Sequence, residues 1–201
     1  MTKQAIYMLR HGESTSNVKR VWSFEGELTK TGIKQCEYWA SYFKDENIAG
    51  VYASSIKRTL QTAEIISRTL KLPVIISDDI IEVNGGIFME KSVDLPQKRA
   101  IEQKLYKSWE NNMVEKSYPN GESFLDVKLR LENFLKKLKT SGDILMVSHQ
   151  LAIAVFLWAF CVNRLKSFSE CLIGRAGMVK LERVSDKSFR LDKFDAKPQI
   201  S

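Results

Sequence analysis

Two short apolar runs, each ending in one of the chain's two histidines, constrain the fold more than any other feature. Residues 6–9 lead directly to Arg10 and His11. Residues 144–147 lead in a similar way to His149. In open α/β sheets, ligands bind in the crevice at the carboxyl ends of the parallel strands. If the two runs are neighbouring strands, both imidazoles face that crevice, which favours a functional site over two unrelated structural histidines.

The composition is that of one globular domain. A chain of 201 residues, 44% hydrophobic and 27% charged, can bury a substantial core without disulfides or metal. Its three cysteines have no close spacing, which predicts reduced thiols in a cytoplasmic protein. The apolar run near the start is only as long as a strand, so no secretory signal is expected. Residues 144–162 are apolar, but a Ser-His-Gln interruption favours a strand and a buried helix over a membrane span.

The net charge of +7 predicts an anionic partner. Nucleic acid is one candidate, but the lysines are scattered and no RNA-binding or helix-turn-helix signature is present. Attraction of a small phosphorylated metabolite is the more economical explanation, so we expect neither a nucleic-acid nor a membrane partner. A solvated basic surface without function stays open beside it. The oligomeric state is not readable from the sequence.

Apolar periodicity, together with turn and capping residues, predicts alternating strands and helices. The predicted elements are strands at 5–9, 51–53, 74–76 and 144–147, helices from Thr29 or Thr31 to about 43, at 56–70, 95–113, 123–138 and after 150, and a hairpin of 176–183 with 189–194. Residues 10–28 are expected to form a functional loop. The fold class is α/β: a three-layer α/β/α sandwich with a mainly parallel central sheet, in a single domain over residues 1–201. A small cap, about residues 83–120, is expected after the third strand.

Two local patterns add detail to the predicted helices. Helical spacing predicts that one face packs on the sheet, formed by Ile33, Cys36, Trp39, Ala40 and Phe43. Ser54 and Ser55 can cap the next helix, whose first turn contains Arg58. A cation beside the free N–H groups of a helix start is favourable when an anion lies between them. The alternative is an exposed arginine on a solvated helix face.

Five motifs occur in a fixed order along the chain. They are Leu9-Arg10-His11-Gly12-Glu13-Ser14 with Asn17, Ala53-Ser54-Ser55-Ile56-Lys57-Arg58-Thr59, Glu82 with Gly86, Pro119-Asn120-Gly121-Glu122-Ser123 with Arg130, and Val147-Ser148-His149. In this order they resemble the signature of the histidine phosphatase superfamily, the phosphoglycerate-mutase-like proteins. The resemblance implies that the site is formed by Arg10, His11, Arg58 and His149, with Glu82 as the acid. The family's common Gly-x-x-Glu-Gly pattern after the acid is absent, so the residues that shape the substrate pocket are not carried over.

A crevice with two histidines, two arginines and one carboxylate is suited to phosphoryl transfer without a metal or cofactor. No residue spacing typical of a metal site is present. Arg10 and Arg58 offer forked donors that match phosphate oxygens. His11, unobstructed and next to Arg10, can attack phosphorus as a neutral imidazole, while His149 donates to the phosphoryl group as an imidazolium. Glu82 is the candidate proton donor to the leaving oxygen and afterwards the base that activates water.

Other residues near these motifs have two open interpretations. Asn17 either donates to the phosphate or holds the loop. Glu13 is expected to orient backbone or an arginine rather than to react. Six apolar side chains either form the rim of the site or belong to the core of the cap: Trp22, Phe24, Phe88, Met89, Tyr106 and Trp109.

The predicted function is metal-independent hydrolysis of a phosphomonoester of a small metabolite through a phosphohistidine, by a histidine acid phosphatase-type enzyme. The nearest alternative is a phosphoglycerate mutase, although family mutases are typically longer, with additional cap segments. A second alternative is a regulatory module that binds a phosphorylated ligand without turnover. The presence of all the reacting residues favours an enzyme.

Overall fold

The structure is a computed structural model that describes residues 4–140 and 142–200. The strands in chain order are β1 (Ala5–Arg10), β2 (Val21–Trp22), β3 (Ile48–Ala53), β4 (Val74–Ile76), β5 (Lys91–Ser92), β6 (Asp143–Ser148), β7 (Met178–Ser185) and β8 (Ser188–Ala196). The α-helices are α1 (Thr15–Val18), α2 (Lys30–Phe43), α3 (Lys57–Leu70), α4 (Pro96–Glu110), α5 (Phe124–Lys137) and α6 (Gln150–Phe160). Short 3₁₀ turns lie at Asp78–Ile80, Gly86–Phe88 and Ser169–Cys171.

A six-stranded sheet in the order β4-β3-β6-β1-β7-β8 forms the centre of the molecule. The four strands β4, β3, β6 and β1 are parallel, and the hairpin of β7 and β8 joins β1 in antiparallel fashion. Strand β6 lies between β1 and β3, although it follows both of them in the chain. The carboxyl ends of strands from distant parts of the sequence therefore meet at one edge, as the two histidine-terminated runs predict.

Helices cover both faces of this sheet because its central strands bury side chains on both sides. In β1, Ile6 and Met8 join one apolar core with residues of α5 and α6. Tyr7 and Leu9 join a second core with residues of α2 and α3 on the opposite face. This alternation follows from the two-residue period of a strand. The predicted three-layer α/β/α sandwich is confirmed.

The boundary predictions have mixed outcomes. Thr29 is the N-cap of α2, because its hydroxyl accepts a hydrogen bond from the Gly32 N–H at 3.0 Å. The predicted buried face of α2 is wrong at Ile33, which is 41% exposed. The predicted capping of α3 by serines is also wrong: Ile56 is the N-cap residue and forms no side-chain capping bond. Ser54 is instead fully buried and faces His149.

The segment 10–28 is more ordered than the predicted loop. It contains α1 and the short strand β2, which pairs with β5 so that Val21 opposes Ser92 and Trp22 opposes Lys91. This two-stranded ribbon joins the segment to residues 83–120, where α4 forms close to the predicted bounds. Trp109 of α4 packs in the same core as α5 and α6. The apolar core thus runs without a break from α4 to the helices that pack on the sheet. The extent of the cap and the boundaries of the single domain stay predictions.

Two further findings concern the predicted compartment. The three cysteines, Cys36, Cys161 and Cys171, are buried free thiols. Within residues 4–140 and 142–200, no helix combines the length and the apolar character that crossing a membrane requires.

A test of how the fold supports the loop after β1 is the substitution Gly32→Ala. An added Cβ at Gly32 would overlap the carbonyl oxygen of Glu13 in that loop. An alanine normally stabilises a helix relative to glycine by about 1 kcal/mol. We expect the opposite sign here, a loss of roughly 1–3 kcal/mol in the free energy of unfolding, because backbone atoms must move apart.

Urea denaturation of the wild type and of Gly32→Ala measures this difference. Lys34→Ala, an exposed position in the same helix, is the control and should change the free energy of unfolding by less than about 0.5 kcal/mol. A stabilised Gly32→Ala protein would show that the loop adapts to the added methyl group without cost.

Candidate active site

Four predicted site residues meet at the carboxyl edge of the sheet. Arg10 is the last residue of β1 and His11 follows it. His149 follows β6 and is the N-cap residue of α6, while Arg58 lies in the first turn of α3, after β3. The two imidazole rings are 5.3 Å apart between centroids. Glu82, which comes after β4, lines the same crevice.

Arg58 lies between the two imidazoles and is only 4% exposed. Its Nε donates to His11 Nε2 at 3.0 Å, and its Nη2 makes a long contact of 3.5 Å with His149 Nδ1. Its Nη1 donates to the carbonyl oxygens of Phe24 and Glu25, at 3.4 and 3.0 Å. Burial lowers the pKa of Arg58. Backbone carbonyls thus fix this guanidinium in position, and the alternative of an exposed arginine on a solvated helix face is wrong.

The hydrogen bonds of His11 define which ring nitrogen carries the proton. Its Nδ1 lies 2.7 Å from the carbonyl oxygen of Gly12, which can only accept, so Nδ1 is the donor. Arg58 can only donate, so His11 Nε2 is the unprotonated acceptor. Burial lowers the pKa of His11 well below its usual value, and the charges of Arg58 and Arg10 lower it further. The ring is therefore neutral, and the lone pair of Nε2 accepts the N–H of Arg58 in the lining of the crevice.

A hydroxyl chain orients His149 from its other side. Thr59 Oγ1 donates to the Ile56 carbonyl at 2.6 Å, so Ser54 Oγ donates to Thr59 at 2.7 Å. Ser54 Oγ then accepts from His149 Nε2 at 2.7 Å, which leaves Nδ1 unprotonated on the side of Arg58. Burial lowers the pKa of His149 well below its usual value, with smaller contributions from Arg58, His11 and Arg10. His149 is thus neutral in the free protein, and the imidazolium predicted for it beside a phosphoryl group stays a prediction for the ligand-bound state.

Arg10 has an unused donor at the crevice. Its Nη1 donates to the Ile173 carbonyl at 2.9 Å, and Gln150 Nε2 donates to the same oxygen at 2.9 Å. Its Nε is buried without a hydrogen-bond partner among the described residues. Burial lowers the pKa of Arg10 to about 10, so the guanidinium is still charged at neutral pH. A buried unpaired N–H is costly, and an anion in the crevice would offset that cost.

The side chain of Glu82 packs against the first turn of α6, and the residue is 8% exposed. Its carboxylate accepts hydrogen bonds from the backbone N–H groups of Val83 at 2.9 Å, Ala152 at 3.2 Å and Leu151 at 3.5 Å. The first turn of a helix attracts a negative charge, which holds the side chain there. Proton donation to a leaving group would require one of these oxygens to turn toward the substrate.

The loop after His11 is held by its own side chains and by Arg175. Asn17 Oδ1 accepts from the Ser14 N–H and hydroxyl, at 3.1 and 3.0 Å, while the residue also lines the crevice. The side-chain oxygen of Asn17 thus holds the loop. Its amide nitrogen makes no hydrogen bond within the described residues, so donation to a phosphate stays a prediction. Glu13 Oε2 pairs with Arg175 Nη1 at 2.9 Å, so Glu13 orients an arginine as predicted.

The outer wall of the crevice comes from β2 and α4. The cavity volume is about 110 Å³, and the wall is formed by Val21, Trp22, Val93, Lys98, Glu102 and Tyr106. Among the six apolar residues considered, Trp22 and Tyr106 therefore line the site. Phe88 and Trp109 are buried in the core instead, at 3% and 1% exposure.

Several residues of the site could not be identified from the sequence. Ser54 and Gln150 lie beside recognisable motif residues, but their partners, His149 and Ile173, are distant in the chain. Lys98 and Glu102 lie one turn apart on α4 in a segment without motif. Their (i, i+4) spacing is typical of an ordinary surface pair, so the sequence offers no signal for their burial.

The chemistry of the site follows from these groups. Within residues 4–140 and 142–200, no cluster of histidine, cysteine, aspartate or glutamate has the geometry to hold a metal ion. Two guanidinium groups can instead neutralise a phosphoryl group, and the unprotonated imidazole nitrogen of His11 lies beside one of them, that of Arg58.

Comparisons with known proteins agree with this site. The sequence profile of the histidine phosphatase superfamily (branch 1) matches residues 6–196. A 6-phosphofructo-2-kinase/fructose-2,6-bisphosphatase of Gallus gallus is 28% identical over 162 residues, which is 80% of this chain and 33% of that protein. Form 4 of that enzyme from Rattus norvegicus is 29% identical over 163 residues, with the same shares. The chain thus spans about a third of the length of these relatives.

Solved structures share the fold over nearly the whole chain. The alpha-ribazole phosphatase of Shigella flexneri has a TM-score of 0.74 at 24% identity, covering 98% of this chain and 100% of that one. A mycobacterial glucosyl-3-phosphoglycerate phosphatase has a TM-score of 0.77 at 20% identity, covering 96% and 100%. A phosphoglycerate mutase of Bacillus anthracis has a TM-score of 0.74 at 17% identity, covering 96% and 93%.

The profile covers almost the whole chain. Of the motif residues that carry the resemblance, Arg10, His11, Arg58 and Glu82 line one crevice, and His149 lies beside His11. This chain belongs to the histidine phosphatase superfamily (branch 1).

Proposed function

We propose that this chain is a metal-independent phosphomonoesterase that acts on a small phosphorylated metabolite through a phosphohistidine. The observation that carries the proposal is the unprotonated His11 Nε2, which is held beside the guanidinium of Arg58 in a buried crevice. A neutral imidazole is a nucleophile once its lone pair is released from Arg58, and adjacent cations stabilise the equatorial oxygens of a transferring phosphoryl group.

In the free protein, Arg58 Nε donates its hydrogen bond to His11 Nε2. In the proposed first step, a phosphate oxygen accepts this hydrogen bond instead, which releases the lone pair of His11. The unpaired Nε of Arg10 becomes a second donor. His11 Nε2 then forms a bond to phosphorus, and the bond from phosphorus to the leaving oxygen breaks. When the dianion binds, His149 takes up a proton at Nδ1. The resulting N–H donates a hydrogen bond to a phosphoryl oxygen.

Glu82 is the proposed general acid for the leaving oxygen and afterwards the base that draws a proton from water. The water then attacks phosphorus and releases His11 together with inorganic phosphate. Glu82 lines the crevice beside the first turn of α6, and both roles require one of its oxygens to turn from the backbone N–H groups toward the substrate. Asn17 is proposed to donate to the phosphate through its amide nitrogen.

The acid-phosphatase subtype, the small-metabolite partner and a cytoplasmic location belong to the same proposal. Relatives with phosphatase names support the reaction class, and the small cavity supports a small substrate. Buried free thiols fit a reducing compartment.

The first prediction concerns metal. Purified protein should hydrolyse p-nitrophenyl phosphate in excess EDTA at the rate seen without chelator, because the crevice neutralises the phosphate with guanidinium groups. Phosphate release is followed by the absorbance of p-nitrophenolate. Complete loss of turnover in EDTA, with recovery on adding a divalent ion, would contradict the metal-independent mechanism.

The second prediction concerns the covalent intermediate. Protein mixed briefly with ³²P-labelled substrate and quenched in alkali should carry an acid-labile phosphate on the peptide that contains His11. His11→Ala should lose the label and at least about 10³-fold in turnover, because the covalent step is removed.

The matched control for that experiment is His149→Ala, the only other histidine in the chain. It should slow labelling and still direct any label to His11. Phosphate on His149, or full activity of His11→Ala, would refute the assignment.

The third prediction concerns pH. Burial and the neighbouring guanidinium groups disfavour the charged form of both rings, so each pKa lies below the usual value. Neither ring of the free protein should therefore gain a proton as the pH falls from 8 to about 6.5, the ordinary midpoint for histidine. The chain has only two histidines, so ¹H–¹⁵N spectra of labelled protein resolve the two imidazole rings directly.

Adding inorganic phosphate at pH 7 should shift the His149 signals toward the doubly protonated form, because an adjacent dianion raises the affinity of the ring for a proton. His149→Gln assigns the signals. A ring that titrates near pH 6.5 in the free protein would contradict the neutral state of the site.

A further inference from the structure

An ion pair lies in the part of the crevice lining that α4 supplies, which we call the outer half, and the residues at the strand ends form the inner half. Lys98 and Glu102 lie one turn apart on α4, and Lys98 Nζ donates to Glu102 Oε1 at 2.5 Å. Both residues line the crevice. Their side chains are only 8% and 16% exposed, in contrast to the surface position that their spacing suggests.

Aromatic residues hold this pair in place. Lys98 Nζ lies 4.8 Å from the centroid of the Trp22 ring, within the range of a cation–π contact. The hydroxyl of Tyr118 donates to Glu102 Oε1 at 3.4 Å. Tyr118 is fully buried and packs edge-on against Trp22, with 5.1 Å between ring centroids. Each member of the pair therefore has a second partner that resists its rotation away from the other.

The charges divide the crevice into two unlike halves. The inner half contains Arg10, Arg58 and Glu82, which leaves one net positive charge and two forked donors for a phosphate dianion. In the outer half, Lys98 and Glu102 are the only charged residues among the described residues that line the crevice, and their charges cancel. A second anionic group on the substrate would meet a carboxylate and a cation that is already neutralised.

We propose that the outer half binds hydroxyl groups of an uncharged, polyhydroxylated leaving group, as in a sugar or polyol monophosphate, and rejects substrates with a second phosphate or a carboxylate. An ammonium has three donors and a carboxylate about four acceptor positions, so the pair keeps free capacity of both kinds. A hydroxyl is donor and acceptor at once and can bond to both residues. Phosphates and carboxylates only accept at neutral pH, and Glu102 repels them.

This inference rests on the proposed phosphatase function, and one set of substrates tests both. Values of kcat/KM are measured in EDTA for p-nitrophenyl phosphate, glucose 6-phosphate, 6-phosphogluconate, glucose 1,6-bisphosphate and 3-phosphoglycerate. The wild type should prefer glucose 6-phosphate over each doubly charged compound by about tenfold or more. A preference for a doubly charged compound, equal rates, no turnover of glucose 6-phosphate, or isomerisation of 3-phosphoglycerate would overturn the inference.

Two variants with opposite charge effects sharpen the test. Glu102→Gln leaves Lys98 uncompensated, so the preference for glucose 6-phosphate over 6-phosphogluconate should fall by about tenfold. Lys98→Met leaves Glu102 uncompensated, so the same preference should rise. Equal shifts in one direction, or no shift in either variant, would show that the pair does not contact the leaving group.

The matched controls are Lys104→Met and Glu115→Gln, exposed positions in the same segment, which should leave the preference unchanged. Far-ultraviolet circular dichroism verifies that each variant is folded, and the wild-type panel decides the matter if a variant is not. If p-nitrophenyl phosphate is not cleaved in EDTA, the proposed function fails. If it is cleaved but the preference is absent, only the present inference fails.

Discussion

The buried guanidinium of Arg58, shared by two imidazoles, is the interaction on which the site depends. Its N–H groups are directed to His11, to His149 and to two backbone carbonyls, so its position is fixed before any ligand binds. A buried charge is costly unless it is paired. Arg58 has neutral hydrogen-bond partners, and the opposing charges are the more distant ones of Glu82 and Glu90. Burial is the main cause of the lowered pKa of both imidazoles, and the charge of Arg58 lowers it further. One residue therefore contributes to both the anion affinity and the neutral state of the nucleophile.

The topology makes this arrangement possible. Strand β6 lies between β1 and β3. Arg10 and His11 lie at the end of β1, His149 follows β6, and Arg58 lies in the first turn of the helix after β3. The strands are buried on both faces, which leaves their ends little freedom to move apart. The loop after β1 is held in turn by the ribbon of β2 with β5 and by the ion pair of Glu13 with Arg175. The rigid sheet and the loop held against it therefore keep the positive charges of Arg10 and Arg58 close together despite their repulsion.

The sequence allowed prediction of those parts of the fold and site that depend on local patterns. The central strands were identifiable because continuous apolar runs indicate burial on both faces. Arg10, His11 and His149 were identifiable because they come at the ends of those strands, and Arg58 because its motif resembles that of the family. Ser54 was assigned a capping role, since a serine before a helix normally has one. Its actual partner, His149, is 95 residues away, and no local pattern encodes such a contact. Lys98 and Glu102 were missed for the same reason.

The hydroxyl chain behind His149 determines where that residue can exchange a proton. Thr59 directs its own proton to a backbone carbonyl, so the chain from His149 Nε2 through Ser54 ends there and cannot pass a proton further. The Nε2 proton is therefore fixed, and the only nitrogen free to gain or lose a proton is Nδ1, on the side of Arg58. An anion bound between Arg58 and His149 raises the proton affinity of that nitrogen alone. Proton uptake at His149 thus follows ligand binding and occurs where the phosphoryl group is expected to lie.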